Sequence, residues 1–277
     1  MAKPVAIERA RTTSAMLCDV QCRLGPADRP YPERHGSWAI ALVRRGTFAY
    51  RAHDARLREL RAGWLLLGRD GAEFECSHPT GAGDDCTSLH VDGALVEDVR
   101  RATRLAGGVV FPRSVLPPVV RVAGAIEAAD RALRTGASID VDALAVRVVA
   151  AVLAASGGEP RVARPPSRRD RDNVAGALDA IDAHPEQRWP LAELADAVDA
   201  SPFQLARAFR AITGTTPHRY LVAARLRRAA VLLLDTRRRI SDIALDVGFG
   251  DLSNFIHTFR REVGMTPRAY RGGRGVG

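Results

Sequence analysis

Two sets of residues in this 277-residue chain have types and spacings suited to chemistry. The first is Cys22, Cys76, His78 and Cys86. Cys76 and His78 stand two places apart, so on a strand they share one face. The glycine-rich turn PTGAGDD that follows can return the chain to Cys86, and Cys22 sits in DVQCRLGP, which reads as a neighbouring strand. Thiolates with an imidazole suit tetrahedral zinc or another thiophilic metal. The spacing fits no standard zinc-finger pattern, and three uses compete for these residues. They are a metal centre, reduced thiols acting as small apolar fillers, or a redox- or electrophile-sensing thiol pair. His35 and His90 are further imidazoles, read as surface or loop residues.

The second set is a phrase written twice: FRAITGTTPHRY from Phe209 and FRREVGMTPRAY from Phe259. The repeat extends upstream, where LAELADAV (191–198) matches ISDIALDV (240–247) in its apolar places and its alanine. Each of these is a short helix with one buried stripe. After a break come SPFQLARAFRAIT (201–213) and DLSNFIHTFRREV (251–263). Ser201 and Asp251 are N-cap residues, and Pro202 fits a first helical position. Leu205 with Phe209, and Phe255 with Phe259, are i, i+4 pairs for the core. Gly214 and Gly264 stop the helices, and Pro217 and Pro267 start the next ones. Helix, tight turn, helix and glycine stop make up the helix-turn-helix plan, in which the second helix enters the major groove.

That plan assigns roles. Phe203, Gln204, Ala206 and Arg207 of the first copy face base edges, as do Leu252, Ser253, Asn254, Ile256 and His257 of the second. Gln and Asn suit adenine, Arg suits guanine, and apolar groups meet thymine methyls. Ser201, Arg210, Arg219, Arg260, Arg261, Arg268 and Arg271 are expected at phosphates. Residues 217–234 between the copies carry no Gly or Pro after Pro217 and read as one helix, roughly 27 Å long. A rod of that length suits two reading helices about one DNA turn apart, roughly 34 Å. Charge agrees. The net charge is +9, and residues 201–277 alone carry 14 Arg against 5 acids, so residues 1–200 balance. Such asymmetry points to a polyanion partner.

At these residues the chain resembles the AraC family of transcriptional regulators. The likeness runs over about 100 residues. It is carried by Ile243, Ala244, Gly248, Phe249, Ser253, Phe255, Phe259, Arg260, Gly264, Thr266, Pro267, Tyr270 and Arg271. His257 departs from it, standing where the family commonly has Arg. The resemblance implies a two-motif DNA-binding domain joined by a linker helix, a cupin-like sensing barrel before it, and helices that dimerise. Double-stranded DNA, a small-molecule or metal effector, a second copy of the chain and, for an activator, RNA polymerase are the implied partners.

The elements that must position these residues follow from local pattern. Residues 15–95 read as short strands with glycine turns, the pattern of a small β-barrel or sandwich. Trp38, Phe48, Tyr50, Trp64 and Phe74 would line an effector cavity if they face inward, or fill the core. Residues 117–136 read as a helix from Pro to Gly. Residues 138–156 read as another, capped by Ser138, with Leu144, Val148, Val149, Val152 and Leu153 on one wide apolar face. That face needs either the barrel or a second copy to cover it. The expected class is α+β in two domains. A cupin-like sensing and dimerisation domain spans 1–156, a Gly/Pro/Arg linker 157–170, and a double helix-turn-helix domain 171–277. No stretch of about 18 apolar residues suits a membrane span, and the N-terminus lacks an apolar signal region, so a cytoplasmic regulator is expected. A cupin metalloenzyme fused to a DNA-binding tail is the alternative, although a His-x-His with downstream Glu is missing from the sequence. A DNA-repair methyl acceptor also lacks its nucleophile context, and catalysis is not expected.

Overall fold

The computed structural model describes residues 4–52, 57–79, 83–103, 110–156 and 166–272. The chain divides into two compact units, residues 1–157 and 158–275.

The first unit is strand-rich. Its strands are β1 (Val5–Arg11), β2 (Ala15–Cys22), β3 (Tyr31–Arg34), β4 (Trp38–Arg51), β5 (Arg58–Arg61), β6 (Leu65–Gly68), β7 (Glu73–Ser77), β8 (Asp84–Val91) and β9 (Val115–Leu116). Three helices, α1 (Gly93–Ala102), α2 (Val120–Arg134) and α3 (Val141–Ser156), complete it. The strands run in the order β1-β2-β8-β4-β6-β9, all antiparallel. β4 is the pivot. Its first half pairs with β6 and β8, its second half with β5 and β7, and β7 pairs on to β3. The change of partners falls at a register shift between Val43 and Arg45, next to Gly46. Gly46 has φ +81°, and a Cβ there would overlap the Gly83 carbonyl oxygen, so only glycine fits this bend. The expected barrel is therefore only partly realised. The sheet doubles over on β4, but its hydrogen-bonded order does not close among the described residues.

Alternate residues of β4 and its neighbours build the core. Leu17, Ile40, Leu42, Leu65, Leu67 and Leu89 join Val122 and Ile126 of α2 and Leu144, Val148, Val149 and Val152 of α3 in one buried cluster. Each such side chain contributes about 1.5–3 kcal/mol by leaving water. The apolar face of α3 is thus covered by the chain's own sheet and by α1 and α2, so it does not require a second copy. Ser138 is not the cap of α3. Asp140 is, its Oδ1 accepting from the Ala143 amide at 2.9 Å. A polar group braces the edge of this core, on the same strand face as Leu17. Asp19, 5% exposed, faces Arg44 at 3.1 Å, Arg134 at 3.4 Å and Arg9 at 3.5 Å.

The second unit is helical: α4 (Arg168–Ala183), α5 (Leu191–Asp196), α6 (Pro202–Thr213), α7 (Pro217–Asp235), α8 (Ile240–Asp246), α9 (Leu252–Val263) and α10 (Pro267–Arg271). Much of the expected linker lies outside the described residues. Its last part is the Ser167–Asp170 capping box that opens α4. α7 is the central rod, burying Tyr220, Leu221, Ala223, Ala224, Leu226, Ala229, Ala230 and Leu233. It is tied to α4 by Tyr220, which donates to Asp182 at 2.8 Å, and by Arg227, 3.1 Å from the same carboxylate.

Candidate nucleic-acid interface and a buried thiol cluster

The two helix pairs α5–α6 and α8–α9 repeat each other residue by residue. Leu205, Ala208 and Phe209 are buried on α6, and Phe255, Thr258 and Phe259 fill the same places on α9. Phe209 meets Tyr220 edge-on at 5.9 Å, and Phe259 meets Tyr270 likewise at 5.4 Å. Each second helix has a side-chain N-cap. Ser201 accepts from the Gln204 amide, and Asp251 accepts from the Asn254 amide at 2.7 Å, each worth about 1 kcal/mol. Gly214 and Gly264 end them in left-handed conformation.

The turns between the paired helices solve one problem in two ways. Each needs a left-handed residue: Asp199 at φ +52° in the first copy and Gly248 at φ +92° in the second. Asp tolerates that region better than most residues because its short side chain bonds locally. Gly248 has no alternative. A Cβ there would overlap the Glu186 carbonyl oxygen and come within 2.9 Å of the Arg225 guanidinium carbon. Arg225 is itself anchored, donating to the Pro185 and Gln187 carbonyl oxygens at 2.7 Å each. Burial holds its pKa below the usual arginine value.

The residues expected at base edges lie on the exposed sides of α6 and α9. Phe203 is 75% exposed, which is unusual for a large apolar side chain, and Leu252 and Ile256 are also exposed. Gln204, Arg207, Ser253, Asn254 and His257 are exposed, and Ala206 is half-buried. The Gln204 Oε1 is taken up by Ser201, whose hydroxyl donates to it at 3.0 Å. The Asn254 Oδ1 accepts from Thr258 at 3.2 Å. Both amide oxygens are therefore engaged within their own helices.

Among the expected phosphate contacts, Arg210, Arg219, Arg260 and Arg268 are exposed. No ion pair holds any of them among the described residues. Arg261 is paired with Glu262 at 2.8 Å, and Ser201 is engaged in its cap. Arg271 is engaged within the unit. It is half-buried and donates through Nε to the Leu233 carbonyl oxygen at 3.3 Å, closing α10 onto α7. Its place just after Tyr270, which packs inward, is the signal that the sequence pattern did not weigh.

In the first unit two of the four expected metal residues, Cys22 and His78, come together around Asp84. Cys22, His78 and Asp84 bring one ligand atom each to within 4.8 Å of one another, all three residues being buried. Cys86 joins through Asp84, its Sγ lying 3.1 Å from Oδ2. Cys76, on β7, is outside that compact group. Asp84 was missed by the sequence reading, although it stands two residues before Cys86 and so shares its strand face. It is also the direct cross-strand partner of Cys22. Burial raises the pKa of every cysteine thiol: Cys18 to about 11, Cys22 above its usual value, and Cys76 and Cys86 well above it. Burial thus favours the neutral thiol over the thiolate at all four positions.

The five expected cavity residues also fall into separate groups. Trp38 packs edge-on against Phe111 at 5.3 Å and against the main core. Phe74 stacks on His35 at 4.2 Å, and Tyr50 lies 2.7 Å from His35 Nε2. Phe48 sits 5.9 Å from the His78 ring, and Trp64 is buried. His35 lies in the loop between β3 and β4, whereas His90 is on β8, and both are half-buried. His90 is flanked by Ser37 and Ser88 hydroxyls at 3.0 and 3.1 Å, and burial lowers its pKa.

A chain with two matching helix-turn-helix pairs joined by a central helix belongs to the double helix-turn-helix class. Residues 194–273 match a family described as a helix-turn-helix domain. The regulatory protein SoxS of Salmonella typhimurium is 38% identical over 94 residues, covering 34% of this chain and 88% of that protein. The HTH-type transcriptional regulator AlkR of Acinetobacter baylyi is 37% identical over 98 residues, 35% of this chain. The match spans about a third (32%) of AlkR's length. A solved transcriptional regulator with an AraC-type DNA-binding domain from Chromobacterium violaceum is 31% identical, covering 39% of this chain and 97% of its own, with a TM-score of 0.37. The chain belongs to the AraC family of transcriptional regulators. No helix among the described residues is long and apolar enough to cross a membrane.

Proposed function

We propose that the protein is a sequence-specific DNA-binding transcriptional regulator whose C-terminal unit reads two adjacent major-groove segments of one duplex. The observation that carries this is the repeated geometry: two capped second helices, each with its apolar stripe buried and its polar and cationic residues exposed. In this reading Phe203, Gln204, Ala206, Arg207, Leu252, Ser253, Asn254, Ile256 and His257 meet bases. Arg210, Arg219, Arg260 and Arg268 meet phosphates, with α7 as the spacer. The first unit, residues 1–156, acts as a cupin-like domain that receives a small-molecule or metal signal. The chain works in the cytoplasm as a homodimer, a state that family likeness supports and the covered face of α3 does not require.

Selection of bound sequences from a randomised duplex pool, followed by anisotropy titration of the full chain, tests the reading. A specific site should bind about 10³-fold or more tighter than random duplex. Equal affinity for the selected and random duplexes would end it.

A further inference from the structure

We infer that Cys22, His78, Asp84 and Cys86 form a binding site for a thiophilic divalent cation of the zinc class. Three ligand-bearing residues, Cys22 of β2, Asp84 of β8 and His78 just after β7, converge in the interior of the strand-rich unit, and Cys86 of β8 lies beside Asp84. The His78 side chain is 1% exposed and its Nε2 lies 2.8 Å from Asp84 Oδ1, yet its buried Nδ1 has no hydrogen-bond partner. A purely structural His–Asp pair would normally satisfy both ring nitrogens.

The donor set selects the cation. Two sulfurs, an imidazole nitrogen and a carboxylate oxygen suit zinc, whereas magnesium and calcium take oxygen ligands almost alone. The size is close to right. Bonds of about 2.0–2.3 Å to a tetrahedral ion set its ligand atoms roughly 3.3–3.8 Å apart, and the Cys22, His78 and Asp84 ligand atoms lie within 4.8 Å of one another. Cys86, its Sγ 3.1 Å from the Asp84 carboxylate, is the fourth ligand assigned.

The backbone is built to hold this arrangement. Cys22 and Asp84 face each other across the β2–β8 ladder. Gly83 has φ +89°, and a Cβ there would overlap the Cys22 carbonyl oxygen. On binding, the Cys22 and Cys86 thiols each release a proton to water as their sulfurs bond to the cation. Two thiolates, one carboxylate and a neutral imidazole then face a charge of +2.

The site rests on this cluster alone. Its use as the regulatory signal rests on the function proposed above. The test is titration of the reduced, metal-stripped full chain with cobalt(II), followed by displacement with zinc(II). The expected result is one cobalt per chain with a thiolate-to-cobalt charge-transfer band and the intense visible bands of a tetrahedral ion, all lost on adding zinc. Cys22→Ser and Asp84→Asn, each checked for a native circular dichroism spectrum, should bind at least about 10-fold more weakly. His78→Gln serves where either fails to fold. Cys18→Ser is the control. Cys18 lies on the same strand, buried, with its thiol donating to the Ser88 carbonyl oxygen at 3.6 Å, so binding should be unchanged. Absence of the charge-transfer band at saturating cobalt, or equal losses in Cys18→Ser and Cys22→Ser, would overturn the site. Failure of the chain to bind DNA specifically while it still takes up cobalt would sink the regulator reading and leave the site standing.

Discussion

Replacing Gly248 by Ala places one methyl group where the second helix-turn-helix touches the rest of its unit. Two costs add. Gly248 sits at φ +92°, where an L-residue loses about 1–2 kcal/mol relative to glycine. The added Cβ also overlaps the Glu186 carbonyl oxygen and reaches 2.9 Å from the Arg225 guanidinium carbon. Arg225 cannot swing aside without giving up its bonds to Pro185 and Gln187. Overpacking against such fixed atoms costs a further 1–3 kcal/mol or so, which brings the total to about 2–5 kcal/mol. That is a large part of the stability of an ordinary domain, about 5–15 kcal/mol. Gly250, two residues on, is the control, with nothing within 4 Å of its Cβ position and no positive φ. Gly250→Ala should fall within about 0.5 kcal/mol of the parent. Hydrogen exchange read helix by helix is the assay, because the strand-rich unit then serves as an internal reference. Protection should fall in α8, α9 and the facing part of α7 in Gly248→Ala, and stay level in β2, β4 and β8. If Gly248→Ala and Gly250→Ala exchange alike, the close approach at Gly248 is not what seats the second motif.

Arg207→Ala should weaken the selected DNA site by about 1–3 kcal/mol and relax preference at one base pair, whereas Arg260→Ala should weaken all duplexes alike and flatten the salt dependence by about one ion. Anisotropy titrations at two salt concentrations separate the two patterns. Asp19→Asn should destabilise the strand-rich unit by about 2–3 kcal/mol, since it leaves Arg9, Arg44 and Arg134 around a neutral amide; loss of exchange protection in β2 and α2 would report it. The remaining prediction concerns pH. Burial lowers the pKa of His90 in the folded chain, so the unfolded chain takes up the proton first. Stability from this residue is full above the ordinary histidine value and is lost as pH falls through it toward the lower folded one. Urea midpoints of the strand-rich unit should drop between about pH 7 and pH 5, and His90→Gln should lose part of that slope.

The two helix-turn-helix pairs of the C-terminal unit were readable from local pattern, for a physical reason. Ser201, Asp251, Pro202, Gly214 and Gly264 act through local hydrogen bonds and backbone angles that the chain carries wherever it goes. The i, i+4 pairs Leu205–Phe209 and Phe255–Phe259 likewise set their helix faces from spacing alone. α4 escaped notice because its buried residues, Val174, Ala177, Leu178 and Ile181, stand among charged ones just after an arginine-rich stretch. Cationic charge alone does not say whether a guanidinium meets a phosphate or a backbone carbonyl, and Arg271 donates to one such carbonyl, that of Leu233.

In the first unit the sequence by itself established strand content, glycine turns, two amphipathic helices and a set of thiols and imidazoles worth attention. Local pattern carries those, since alternation and turn chemistry need no distant partner. Only the tertiary structure decided that β4 bends at Gly46 and serves two halves of the sheet, and that α3 covers the chain's own core. It also decided that Asp84 rather than Cys76 stands with Cys22 and His78. Strand register is set by pairing between segments more than 60 residues apart in sequence, Cys22 opposite Asp84 among them. A one-residue slip there would turn every side chain to the other face.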